Sequence, residues 1–410
     1  MAEKEKTDIS EREIPAGIRI LPAAVIAAAT VILAVLFLIL PVRTFSENEN
    51  RTLAAAPAFS VGGFLSGSFQ EGFEQFLADQ FPGRDTWFAL SVRKERLLGR
   101  QEINSVYYAE DADGELRLID EYRTPQNTEK FEQAVLRLAK GVESARVTVL
   151  LVPTAVTIYG DELPAEARAR MNASQEETIR QIFSGIEAED TSVTLLSAQE
   201  VLEQGRSGGR NMFYRTDHHW TLAGAYEGYR LLSPAFGIED AGQTAGTVRT
   251  VSGDFRGTTW SKVCDPEVSP DTIEIYENPA WAGTLRVSYE DTGEESDSPY
   301  NPKYLKVKDQ YSLFLNNLHP FITITNPGAD LRRTDPAAGE RRALAVVKDS
   351  YANSLIPFLI DRYETIYIFD PRYYRGSISG FVNDHPEVQD VLVLYNLCTM
   401  DDDRGVGAIK

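Results

Sequence analysis

Three residues in this chain have the types needed to split or transfer an ester. Asp217 and His219 stand two positions apart in FYRTDHHWT, and Ser350 lies in AVVKDSYANS. A serine hydroxyl attacks a carbonyl only when a base takes its proton. An imidazole is such a base, and a carboxylate holds the imidazole in place. Residues i and i+2 of an extended or turned segment can project to one side, so a single short loop could supply both orienter and base. Ser350 is expected at a strand-to-helix turn, where its hydroxyl stands exposed and backbone N–H groups face an oxyanion. Asn396 and Asn353 are candidate oxyanion donors, although each also suits a strand-end turn or a helix cap. Tyr351, Arg372, Tyr373 and the second imidazole, His218, are candidates to line a substrate site. Each motif alone has a plainer reading. A DxH pair is more often a metal-ligand pair or surface chemistry, and KDS before a helical pattern is an N-cap. A metal hydrolase through Asp217, His218 and His219 lacks a third and fourth ligand pattern. No metal or other cofactor is expected.

These residues need a scaffold that brings positions 217 and 350 together. Short apolar runs rich in β-branched residues occur at Arg146–Val152 (RVTVLLV), Ser192–Leu196, Ala343–Val347 (ALAVV), Thr365–Phe369 (TIYIF) and Asp390–Tyr395 (DVLVLY). Such runs are the mark of buried parallel strands. Helical patterns fall at 128–142, 173–186, 222–233 and 353–360. Strands alternating with helices predict an α/β fold with a doubly wound parallel sheet. Ligands of such sheets bind beyond the carboxyl ends of the strands. Pro153-Thr154, Lys348-Asp349-Ser350, Asp370-Pro371-Arg372 and Asn396 all follow directly on apolar runs. Residues 250–335 are rich in Gly, Thr, Asp and Pro, and are expected to be an insertion carrying a small β substructure.

The 410 residues carry a net charge of -20, which repels phosphate backbones, so nucleic acid is a poor partner. With 43% hydrophobic residues, global disorder is excluded. The two cysteines, Cys264 and Cys398, form no CxxC, and they are expected to remain separate thiols. Leu21–Leu40 is an uncharged apolar run about 30 Å long as a helix, enough to cross a bilayer core. Lys4, Lys6, Arg12 and Arg19 precede it, and only Arg43 and Arg51 follow closely. This bias places the N-terminus inside. The expected organisation is a cytoplasmic tail at 1–17, an uncleaved signal anchor at 18–40, a linker and helical region at 41–100, and an extracytoplasmic α/β domain at 101–410. A cleaved signal is the lesser alternative. Phe69, Phe73, Phe76 and Leu77 recur at helical spacing, giving an aromatic face expected to pack against the main domain rather than to bind lipid.

The combination of motifs is more specific than its parts. TDHHWT resembles the signature of the DHHW protein family, and is similar to the TDTHWT motif of the alginate O-acetyltransferases. The order Asp-x-His before Ser is the circularly permuted order of that group; ordinary SGNH hydrolases begin with the serine. The ENR segment ending at Arg51, the turn DQFPGRD and DPRYYRGSI also look family-like. The resemblance implies an SGNH-hydrolase-like fold with Ser350 as nucleophile, His219 as base and Asp217 as its orienter. It implies a membrane-anchored O-acetyltransferase acting on a cell-surface polysaccharide, with a membrane-bound O-acyltransferase partner supplying acyl groups. A carbohydrate esterase with the same triad is the runner-up, and a non-catalytic glycan-binding or envelope-assembly protein is a third reading. Two positions depart from the pattern. Lys348 stands where glycine is usual before Asp-Ser, and His218 replaces a threonine.

Overall fold

The computed structural model describes residues 16–171, 175–238, 246–331, 334, 342–402 and 405–409. Most of the tail expected at 1–17, the start of the helix expected at 173, and part of the end of the insertion lie outside the described residues. The chain forms two compact units. One comprises the chain through Glu47 with Arg51–Leu90, and the other Asn48–Asn50 with Ser91 onward.

In the first unit, helix α1 spans Ala16–Ile39. Its stretch Ile20–Ile39 has a mean hydropathy of 2.7 and none of it is buried, so it is long and apolar enough to cross a membrane. Two short helices follow, Val61–Ser66 and Ser68–Asp79. The Ser60 hydroxyl caps the first by accepting from the Gly63 N–H, and Gly67 at φ 85° separates the two. The expected aromatic face packs ring on ring, with Phe69–Phe73 centroids 6.0 Å apart and Phe73–Phe76 6.4 Å apart. Two family-like motifs meet here. The Arg51 guanidinium forks onto buried Asp79, the first residue of DQFPGRD, at 3.0 and 2.6 Å.

The second unit is built on an eight-stranded sheet. In chain order its strands are β1 (Arg146–Val152), β2 (Thr194–Ser197), β3 (Arg286–Tyr289), β4 (Glu294–Ser296), β5 (Phe321–Thr325), β6 (Ala343–Lys348), β7 (Thr365–Phe369) and β8 (Val388–Asn396). Their spatial order is β4-β3-β5-β7-β6-β8-β1-β2. The five strands from β7 to β2 are parallel neighbours. Every residue of β6 is buried, as are the last six of β1, and this continuous burial explains their uninterrupted apolar runs.

The chain leaves β1 for β2 in one direction, through helix α3 (Glu176–Glu189), which packs on α2 (Thr128–Gly141). It leaves β6 for β7 in the opposite direction, through α5 (Ala352–Leu359), which packs on α4 (Leu222–Ala235). Parallel crossovers are right-handed, so opposite directions put the two helix pairs on opposite faces. The direction reverses around β8, between β6 and β1. This is the switch point at which an open α/β sheet presents its ligand crevice.

One expectation needs correction. The sheet is mixed, because β5 pairs antiparallel with β7, β3 with β5, and β4 with β3. The insertion carries a small β substructure of its own, the hairpin Thr247–Phe255/Asp271–Glu277, and three further strands of it extend the main sheet. Strand direction and partner are long-range choices, and the composition of 250–335 carries no trace of them. A three-stranded antiparallel sheet (Glu102–Ile103, Val106–Glu110, Leu116–Asp120) also precedes the body, without a clear sequence signal.

Candidate active site

Asp217 and His219 lie in a tight loop closed by an antiparallel bridge between Phe213 and Trp220. The loop has few regular hydrogen bonds of its own, and remote side chains supply the rest. Asp271, from the insertion hairpin, accepts the Arg215 and Thr216 N–H groups at 2.9 and 2.8 Å and the Thr216 hydroxyl at 2.6 Å. Buried Arg117 donates to the carbonyls of Phe213 and Tyr214 and to Asn211, with its guanidinium stacked 3.7 Å from the Tyr159 ring. On the other side, Ser350 occupies the turn between β6 and α5. Trp220 ties the two segments together, its indole N–H donating to the Tyr351 carbonyl (2.9 Å) and the Ser354 hydroxyl (3.0 Å).

This scaffold produces one hydrogen-bonded chain. Asp217 Oδ2 lies 2.6 Å from His219 Nδ1, and His219 Nε2 lies 2.8 Å from Ser350 Oγ. Both distances are within direct proton-transfer reach. The second oxygen of Asp217 accepts the Thr258 N–H (2.7 Å) and hydroxyl (2.8 Å). Burial alone would raise the Asp217 pKa. The adjacent His218 and His219 rings and these hydrogen bonds outweigh it and hold the carboxyl well below its usual range. His219 is pushed down to about 4, first by burial and then by His218, against the pull of Asp217. The imidazole is thus neutral at neutral pH, and Nε2 can accept the serine proton. Tyr311 stacks on the His219 ring at 3.8 Å and 11° and donates to the Ser350 carbonyl and the Ser354 hydroxyl.

The other sequence candidates divide. Asn396 gives both amide hydrogens to the Val152 and Pro153 carbonyls at 3.0 Å, which removes it as an oxyanion donor. Two strand-end carbonyls beside it demand donors, so it straps β8 to β1. Asn353 is buried, with its N–H on the Ser350 carbonyl and its Oδ1 without a partner among the described residues. Tyr351 donates its phenol proton to the His218 carbonyl. Arg372 forks onto Asp370 at 2.8 and 2.6 Å, and Tyr373 lies under its guanidinium at 5.6 Å. His218 is partly exposed, with Nδ1 2.6 Å from the Thr258 hydroxyl. Lys348, in the glycine position, ends β6 as a fully buried side chain 3.5 Å from Asp370. Burial lowers its pKa, opposed by that carboxylate. Asp349 is also buried, and accepts the N–H groups of Tyr351 and Asn396 at 2.9 and 2.7 Å.

Asp217, His218 and His219 could each offer a metal one ligand atom within 4.8 Å of the others. Both nitrogens of His219 are already engaged by Asp217 and Ser350. Cys264 is buried and Cys398 half-buried, and neither is in a disulfide among the described residues. A cavity of about 330 Å³ adjoins the site, lined by Asp217, His218, Thr258, Tyr351, Thr154 and Cys398 among others. A larger cavity, about 620 Å³, lies in the insertion beside Arg249, Glu277 and Asn316, and no member of the 217–219–350 chain lines it. The hydrogen-bonded chain, and not cavity size, marks the candidate site.

The contributors that sequence reasoning missed are Thr258, Asp271, Tyr311, Arg117 and Gly257, where an added Cβ would fall 2.2 Å from the Asp217 Cβ. Four of the five belong to the insertion, and no spacing rule links them to position 217.

The sequence matches the DHHW protein family over residues 120–369, well over half of the chain. The chain belongs to the DHHW protein family. Among solved structures, a DHHW family protein from Eubacterium siraeum is 23% identical, with a TM-score of 0.61 over 75% of this chain and 96% of that one. PatB1 of Bacillus cereus, in a structure with a sulfonyl adduct, is 16% identical with a TM-score of 0.56 over 73% and 97%. The O-acetyltransferase domain of Pseudomonas putida AlgJ is 15% identical with a TM-score of 0.41 over 72% and 92%. No curated protein matches the chain. At these identities the likeness to the first two structures speaks to the fold alone.

Proposed function

We propose that this DHHW protein is a serine acyl-ester enzyme, an O-acetyltransferase that moves an acyl group onto a cell-surface polysaccharide. The observation that carries the reading is the hydrogen-bonded chain Asp217–His219–Ser350. His219 Nε2 takes the Ser350 proton as Oγ attacks the donor carbonyl, and Asp217 stabilises the imidazolium through Nδ1–H. The imidazolium returns the proton to the leaving group, which leaves acyl-Ser350. An acceptor hydroxyl then gives its proton to His219 and attacks the ester; the acyl–Oγ bond breaks, the imidazolium returns the proton to Ser350 Oγ, and the acceptor departs acylated. The polysaccharide acceptor is supported by the likeness of TDHHWT and its permuted order to the alginate O-acetyltransferase motif. Helix α1 acts as an uncleaved signal anchor with the N-terminus cytoplasmic. That topology suits a membrane-bound O-acyltransferase as donor partner, because acyl groups must reach the outer face.

The test is covalent capture. A structure of PatB1 carries a sulfonyl adduct, and a sulfonyl fluoride is the matching probe here. Intact-mass and peptide analysis should place the label on Ser350. Incubation with an activated acetyl ester should add one acetyl group at the same residue. Acetylated oligosaccharide on adding acceptor supports transfer, and free acetate alone supports the esterase. If Ser350 resists the reagent and no activated ester turns over, the enzyme reading gives way to glycan binding.

A further inference from the structure

The aromatic helices of the first unit remain unexplained by catalysis. Phe37, two residues before the end of the apolar stretch Ile20–Ile39, meets Phe76 edge-on at 5.9 Å. From there the rings continue without a gap: Phe76 to Phe73 at 6.4 Å, Phe73 to Phe69 at 6.0 Å, Phe69 to Phe59 at 5.4 Å and Phe59 to Phe64 at 6.1 Å. Positions 69, 73, 76 and 77 share one face of a 3.6-residue helix. Much of this chain of rings is open. Phe59 is 67% exposed, Phe64 50%, Leu65 79% and Phe73 42%. The opposite face carries Glu71, Glu74 and Gln75, and neither short helix contains a Lys or Arg.

We infer that the helices Val61–Ser66 and Ser68–Asp79 lie in the plane of the membrane, with the aromatic face in the outer headgroup–acyl boundary. The inference rests on α1 being an anchor. Phe76 touches the outer end of that span, so its helix leaves the span at the depth of the boundary. Aromatic rings concentrate at this depth, and amphipathic helices lie there with their apolar face down. The acidic polar face makes the contact apolar in origin. It should therefore form on zwitterionic lipid and persist in high salt.

The experiment uses the full chain in phosphatidylcholine vesicles, with and without bromine on the acyl chains near the headgroup. Phe64→Trp and Phe73→Trp each add one indole at an aromatic position. Emission gained over the parent protein should be blue-shifted and at least two-fold quenched by the brominated lipid, at low and high salt alike. Val248→Trp, at an exposed position of the second unit, should stay unquenched. Leu38→Trp reports the anchor itself. If Leu38→Trp is quenched while positions 64 and 73 emit as in water, the docking surface is refuted and the anchor stands. If Leu38→Trp is also unquenched, the anchor fails and the surface falls with it.

Discussion

Gly257→Ala should disable the site from a residue that takes no part in the chemistry. Gly257 has φ −80°, a value open to any L-residue, so alanine meets no backbone objection there. The objection is space. An added Cβ would stand 2.5 Å from Asp217 Cγ and closer still to its Cβ and Oδ1. Restoring ordinary contact requires the carboxylate to move by roughly 1 Å, and a misplacement of that size can cost about 100-fold in rate. The fold should lose about 1–3 kcal/mol, the usual range for overpacking. The assay is turnover of a chromogenic acetyl ester together with the rate of sulfonyl labelling at Ser350, both with thermal melting alongside. Gly253→Ala is the control, because nothing lies within 4 Å of its added Cβ. A folded Gly257→Ala protein that keeps turnover within three-fold of the parent would refute the claim that Asp217 must sit where it does.

His219→Ala should abolish turnover, whereas His218→Ala should only reduce it, as measured by steady-state ester hydrolysis; the reverse order would mean that the two imidazoles are misassigned. The acid limb of the kcat/KM profile should lie below the ordinary imidazole value of about 6.5. Burial and His218 push His219 down to about 4, so the base stays neutral to lower pH and activity is lost only as pH falls through that lowered value. His218→Ala should move the limb upward by removing a neighbour that disfavours the charged ring, and a limb at or above 6.5 in the parent protein would contradict this. Asp271→Ala orphans the Arg215 and Thr216 N–H groups and should cost at least about 2 kcal/mol in urea unfolding. Asp271→Asn, which keeps one acceptor oxygen, should lose less, and equal losses would argue against the hydrogen-bonding role.

The candidate site residues were legible because their signals are local. The i, i+2 spacing of Asp217 and His219 and the placing of Ser350 after ALAVV survive in the linear chain. The parallel strands were legible because burial on both faces writes continuous apolar runs, and helix α1 because its long apolar run carries no charge. Tertiary structure alone decided how those residues are held. Gly257, Thr258, Asp271 and Tyr311 lie 38 to 92 positions beyond His219, and their contacts follow from the insertion folding back over the loop. A contact closed over that distance leaves no periodicity to read. The same holds for the antiparallel edge β4-β3-β5, since strand direction is set by the partner and not by the strand's own residues. Asn396 shows the limit most plainly. Its side chain could serve an oxyanion or two carbonyls, and only the proximity of the Val152 and Pro153 carbonyls, which must be satisfied once buried, settled which.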